Sequence, residues 1–374
     1  MWPFLVLMAC SGKSDGPTDT PADAEPGISL PVPENGYQLV TPTYEIPAFS
    51  EEEICTVMRL EPKADEKLYW VNSMESLVTD DTHHMNVLIG EFSFLDAFVG
   101  DGAAEAALGV PEGQYPCSEL STMELAYTIF PSQRDNQRIT MPTGVAAPMT
   151  APLMVIFSHH YVNPTPDPIT INAILNIETI PKEEVTHVAG LVFDDIPDLE
   201  IPPGTERVVS RNCVFERDVN IALVSTHNHE WGECATINQY DGEADSMEAE
   251  PFFVNKQWET PPILHFEPGE FSIEAGDGVN WSCHFRNDTD RTLINDGTAQ
   301  GEMCVFAAVT YPSPWSVSEI EVIVEGGDVA GLVGLLGDVM GPCDSTATPT
   351  STPWAAEDAS SCDPLAQTES NVLD

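Results

Sequence analysis

The sequence predicts an all-β protein in two domains, and three observations carry the prediction. Apolar runs are short and strand-like from Tyr37 onward. They are punctuated by 32 prolines and 25 glycines, residues that end strands and shape turns. An acidic, proline-rich stretch, FDDIPDLEIPPG at 193–204, divides the chain into parts of about 150 residues, an ordinary domain size.

In chain order the strand candidates are LYWVNSM (68–74), MNVLIGEF (85–92), ELAYTIF (124–130), PLMVIFSHHYV (152–162), ITINAILNIETI (169–180), VNIALVSTHNH (219–229), FSIEAG (271–276) and MCVFAAVTY (303–311). Many short strands with turn signals between them form the pattern of sandwiches and barrels. The one helix-like stretch, DAFVGDGAAEAALG at 96–109, reads as a short excursion. From Glu325 the texture becomes small and apolar and then low in complexity, which reads as a mobile tail. The expected organisation is a signal at 1–10, a flexible linker at 11–36, domains at 37–197 and 198–325, and a tail at 326–374.

Charge narrows the partners. With 61 acids against 13 bases the net charge is −48. Nucleic acid and anionic membrane surfaces both require a positive footprint, so neither is expected as a partner. The acidic stretch DGEADSMEAE at 241–250 lacks the ligand spacing of a calcium-binding EF-hand loop and reads as solvated.

Nine cysteines include no C-x-x-C pair, which argues against a zinc ribbon or a thioredoxin-like redox site. Cys10 stands apart, after a short apolar run. Leu7-Met8-Ala9-Cys10 resembles the cleavage site of a bacterial lipoprotein signal, although a basic leader is missing. Lipidation at Cys10 would place the chain at the cell envelope, touching the membrane by its lipid anchor only. The remaining eight cysteines suit disulfides in an oxidising compartment.

Six of the nine histidines fall in three clusters. His83 and His84 are adjacent at the head of an apolar run. A strand sends neighbours to opposite faces, so both reach one ion only where the strand is bent. His159 and His160 lie in FSHHYVNP. His227 and His229 are two residues apart and share a strand face, a spacing that serves one metal ion. Alone, each cluster also reads as ordinary polar strand residues. Met303, in GEMCVFAAVTYP, alone reads as a core filler. A set of two histidines and a methionine would hold copper in both oxidation states, because imidazole suits Cu(II) and a thioether suits Cu(I).

Taken together, these stretches resemble the copper type II, ascorbate-dependent monooxygenases, the family of peptidylglycine α-hydroxylating monooxygenase, dopamine β-hydroxylase and bacterial relatives. The matching residues are HHM at 83–85, HYVNP at 160–164, IPPG at 201–204, HNH at 227–229 and EMC at 302–304. The resemblance implies two jelly-roll-like antiparallel β-sandwich domains, each with a copper site, facing each other across a cleft. His83, His84 and His160 would bind the first copper, which stores and delivers an electron, with His83 and His84 both using Nδ1. His227, His229 and Met303 would bind the second and carry the catalysis, where dioxygen and substrate meet. His159 is left out because a strand points it away from His160.

The resemblance also implies two copper ions per chain, ascorbate or a similar electron donor, and disulfides Cys55–Cys117 and Cys283–Cys304. For the other cysteines the pattern has drifted, so Cys213–Cys234 and Cys213–Cys343 both stay open. Peptide-amidating members carry an arginine two residues before H-x-H and a tyrosine four after the methionine. Here those places are Ser225 and Ala307, which argues against a glycine-extended peptide. The expected activity is hydroxylation of a C–H bond in a small-molecule or peptide-like substrate with O2. The alternative is a non-catalytic, copper-handling surface lipoprotein. A disulfide-braced adhesion module with vestigial ligands is a third reading.

Overall fold

The computed structural model describes residues 28–63, 66–79, 82–90, 93–98, 100–120, 126–241, 251–296, 301–328, 330–331, 334–335, 343–344 and 352–353. Cys10, the acidic loop from Gly242 and Cys362 lie outside the described residues, as do the side chains of His83 and Cys343. The fold is all-β, with two α-helices among the described residues, Ala103–Leu108 and Val317–Gly326.

Strands up to Val188 and strands from Gly190 onward form separate sheets. In the first half, one sheet runs Gly36–Val40, Ala173–Ile180, Leu68–Val78, Val145–Thr150 and His187–Val188, with Asn136–Thr140 attached to Leu68–Val78. The other runs Gly113–Pro116, Ser50–Leu60, Leu153–Asn163, Thr82–Gly90 and Ala126–Ser132. In the second half, one sheet runs Gly190–Asp195, Cys304–Tyr311, Val219–Asn228 and Leu264–His265. Its companion is built on Phe253–Asn255, Gly232–Tyr240, Gly278–Asn287 and Thr205–Phe215. The strands pair antiparallel except for His187–Val188 against Val145 and Ala146.

The strand Leu153–Asn163 shows why sequence alternation and burial part company here. It is central in its sheet, paired with Ser50–Leu60 on one side and Thr82–Gly90 on the other. Leu153, Val155 and Phe157 face a core that also takes Trp70, Val71 and Ile177 from the opposing sheet. Met154 and Ile156 face the other way and are covered by Ala104, Cys117 and Leu120. The excursion at 95–120 is that cover, and the Cys55–Cys117 disulfide ties it to the neighbouring strand Ser50–Leu60. Both faces are therefore dry, and the strand reads as a continuous apolar run rather than alternating.

Several expectations shift. Sheet membership changes at Ala189, ahead of the acidic stretch at 193–204, because Gly190–Asp195 already pairs with Cys304–Tyr311. The end of the expected linker lies against the first sheet. Leu30 accepts a hydrogen bond from Gln38, and Pro31 one from Asn176. The end of the expected second domain, just ahead of the expected tail, is helical. Ser316 and Glu319 form a capping box for Val317–Gly326, each satisfying the other's backbone N–H. Ile320, Ile323 and Val324 then bury in the first-half core, and Leu335 joins them at 1 % exposure. The chain thus returns from its second half to pack on its first.

Of the two open pairings, Cys213–Cys234 is ruled out. On the strand between them Cys213 pairs with Val279 and Cys234 with His284, five residues further along. That is roughly 17 Å of strand, well beyond the reach of a disulfide. Both are nonetheless disulfide-bonded. The backbone of Cys343 lies opposite Phe215, two residues from Cys213.

Candidate metal centre

The first histidine set rests on a β-bulge. His160 pairs with His84, and the next residue, Tyr161, pairs with Thr82, so His83 is the extra residue on its strand. A bulge bends its strand and breaks strict alternation, the local distortion that adjacent ligands require. The rings of His84 and His160 lie 5.0 Å apart. His160 Nε2 meets Glu51 Oε1 at 2.8 Å. The carboxylate only accepts, so Nε2 carries the proton and Nδ1 keeps the lone pair.

His159 occupies the opposite face. It is 2 % exposed, between Phe157 and Tyr161, and its Nε2 has no hydrogen-bond partner. Burial alone pushes its pKa down to about 3, so it stays neutral in the core.

The second set is assembled by register. Val219–Asn228 runs antiparallel to Cys304–Tyr311, with His227 opposite Val305 and Asn228 opposite Cys304. Continued by one residue, that register brings His229 across from Met303. The rings of His227 and His229 are 5.0 Å apart. Each has its Nδ1 at a carbonyl-type oxygen, His229 at Gly301 O (3.1 Å) and His227 at Gln133 Oε1 (3.0 Å). Both imidazoles therefore donate from Nδ1 and keep the lone pair on Nε2, the arrangement by which outer partners orient metal-binding histidines. Gln133 belongs to the first half of the chain and also donates to Trp258 O.

Glu302 opens the EMC stretch, and nothing in its local sequence assigns it a role. It is fully buried, and Oε1 accepts the backbone N–H of His229 at 2.5 Å and of Met303 at 2.8 Å. Oε2 accepts from Trp231 N at 3.2 Å. Burial pushes its carboxyl up to about 7, against the three donors that favour the ionised form. The turn after His229 is closed by Gly232 N donating to His229 O. A Cβ at Gly232 would sit 2.0 Å from Asn228 Nδ2, whose own hydrogen bonds run to His229 O and Gly232 O. The glycine in HNHEWG is thus required by close approach.

The Cys283–Cys304 disulfide implied by the resemblance is present, and it joins the two second-half sheets immediately beside Met303. His229 resists protonation because it is buried, against the Gly301 carbonyl that favours the protonated ring, and a proton on His160 would oppose it further. The two histidine sets thus lie within electrostatic reach of each other.

His84, His227, His229 and Met303 all line one cavity of about 670 Å³, in the range of small-molecule sites. Ser225 and Ala307 line it too. Among the described residues no three His, Cys, Asp or Glu side chains converge to hold an ion. Each expected set contains a member beyond such a triad: His83, whose side chain is not described, and Met303, a thioether.

No protein-family model matches this chain, and no curated protein matches it.

Proposed function

We propose that the chain is a copper-dependent monooxygenase of two jelly-roll-like domains, held at the cell envelope by a lipid on Cys10. The observation that carries this reading is the convergence of His84, His227, His229 and Met303 on one cavity from separate sheets. The donor set fits copper, because neutral imidazoles with fixed tautomers and a thioether suit both of its oxidation states. His83, His84 and His160 would hold one ion, and His227, His229 and Met303 the other. Copper would supply electron transfer from ascorbate or a similar donor to dioxygen.

The rest falls to the chain. Gln133 and Gly301 keep Nε2 of His227 and His229 deprotonated. Glu302 and the Cys283–Cys304 disulfide hold Met303 at a set distance from them. The apolar cavity excludes water and positions a substrate C–H bond. The test is dioxygen consumption by the copper-loaded protein with ascorbate, coupled by mass spectrometry to a product heavier by one oxygen atom. Copper binding without such a product would favour the alternative of a copper-handling surface lipoprotein.

A further inference from the structure

The wall of the cavity beside the second histidine set is read from strand register. Residues 223, 225 and 227 of one strand pair with 309, 307 and 305 of its neighbour. Alternation puts all six on one face, and all six line the cavity. Moving away from His227 and Val305, the next rung is Ser225 with Ala307, and the next is Leu223 with Val309. At ~3.4 Å per residue, that wall extends roughly 14 Å from His227. Ile139, Met141 and Met149 line the cavity from the first half, and Ile320 and Val324 of the terminal helix close it further.

Charge along this wall is absent. No lysine or arginine is among the described lining residues. The Ser225 hydroxyl donates to Pro262 O at 2.9 Å. Glu53 is the one carboxylate among the described lining residues, and Ser158 donates to it at 2.7 Å. A carboxylate or phosphate carried along this wall would lose its hydration and meet no lysine or arginine side chain in return, which is strongly unfavourable.

We infer that the cavity takes an uncharged, largely apolar molecule, held by shape along the Ser225–Ala307 and Leu223–Val309 rungs with one end at Met303. This deepens the monooxygenase reading and rests on it for the chemistry, but the binding itself is separately measurable.

The test uses the full, copper-free chain and the neutral fluorescent probe N-phenylnaphthylamine. The probe is displaced by decanol, decanoate or decylammonium in about 0.5 M salt, which screens the net charge. Decanol is expected to displace the probe at concentrations at least about tenfold below either charged analogue. Ala307→Trp, which fills the middle rung, is expected to weaken probe and decanol about tenfold. Ser225→Trp fills the same rung from the other strand and serves if the first variant does not fold. Ala307→Arg is expected to shift preference toward decanoate. Equal or tighter binding of a charged analogue overturns the inference, as does probe binding unchanged in a folded tryptophan variant. Dioxygen consumption is read separately. Its failure with decanol binding intact removes the enzymatic reading, and its presence without apolar binding removes the substrate class alone.

Discussion

The backbone N–H groups of His229 and Met303 are held by the same atom, Oε1 of Glu302, at 2.5 and 2.8 Å. One buried carboxylate therefore sets the spacing between an imidazole and a thioether that are 74 residues apart (303 − 229) in the chain. Glu302→Gln keeps the shape but turns an NH2 toward backbone donors. It is expected to cost ~1–3 kcal/mol in chemical denaturation, as buried polar groups lose their partners. It is also expected to lower copper occupancy at the second set while the first set stays loaded. Unchanged stability with both ions retained would reduce Glu302 to a bystander.

Copper stoichiometry tests the two-set arrangement directly. Two ions per chain are expected after reconstitution, with His84→Ala removing one and His229→Ala the other. The residues of the two proposed sets stand on different sheets, and no residue belongs to both. Elemental analysis giving a single ion in the parent chain, or the same ion lost in both variants, would contradict it.

Met303→Ala separates a ligand from a packing residue. A thioether adds little to Cu(II) and more to Cu(I). The variant is expected to keep two Cu(II), to bind Cu(I) more weakly at one site, and to lose most turnover. Near-normal turnover would return Met303 to the core.

The disulfide beside Met303 has a measurable share in stability. Cys283 and Cys304 close a separation of 21 residues. Replacing both by serine is expected to cost ~2–4 kcal/mol and to loosen Cu(I) binding at the adjacent site. Calorimetry on the copper-free pair of proteins reads the first effect, and a Cu(I) competition assay reads the second.

Two buried groups give stability opposite pH dependences. His159 is held down to about 3 by burial, below its ordinary 6.5. Its contribution is complete above pH 6.5 and is lost as pH falls toward 3, because only the unfolded chain takes up the proton. Asp194 is pushed up from 3.8 to about 6, chiefly by burial and against the nearby Arg211. Its contribution is complete below 3.8 and is lost as pH rises through 6. In copper-free protein, His159→Phe should flatten the loss of stability on acidification. Asp194→Asn should flatten the loss on the alkaline side of its window. Each slope is at most about 1.4 kcal/mol per pH unit. Melting curves from about pH 4 to pH 7 that are parallel for parent and variants would refute both assignments.

What the sequence determined by itself is local and periodic. The strand segments are legible because alternation and turn residues are short-range. The same-face placement of His227 and His229 is legible because a strand repeats every two residues. The terminal helix carries a local signal as well. Ser316 and Glu319 form a capping pattern ahead of Ile320, Ile323 and Val324 at helical spacing. The low-complexity texture after it masked the signal.

Tertiary structure decided the rest. Nothing local marks His83 as a bulge; it becomes one only when His160 and Tyr161 pair with His84 and Thr82. Glu302 reads as an ordinary polar residue until the pairing of Asn228 with Cys304 buries it against His229. Gln133 reaches His227 only because strands from the two halves come together. The electrostatics of the cavity likewise follow from which faces meet. A sequence records residue types and short periods, whereas burial, register and convergence depend on contacts between distant segments, and those contacts set both the tautomers and the charge of the site.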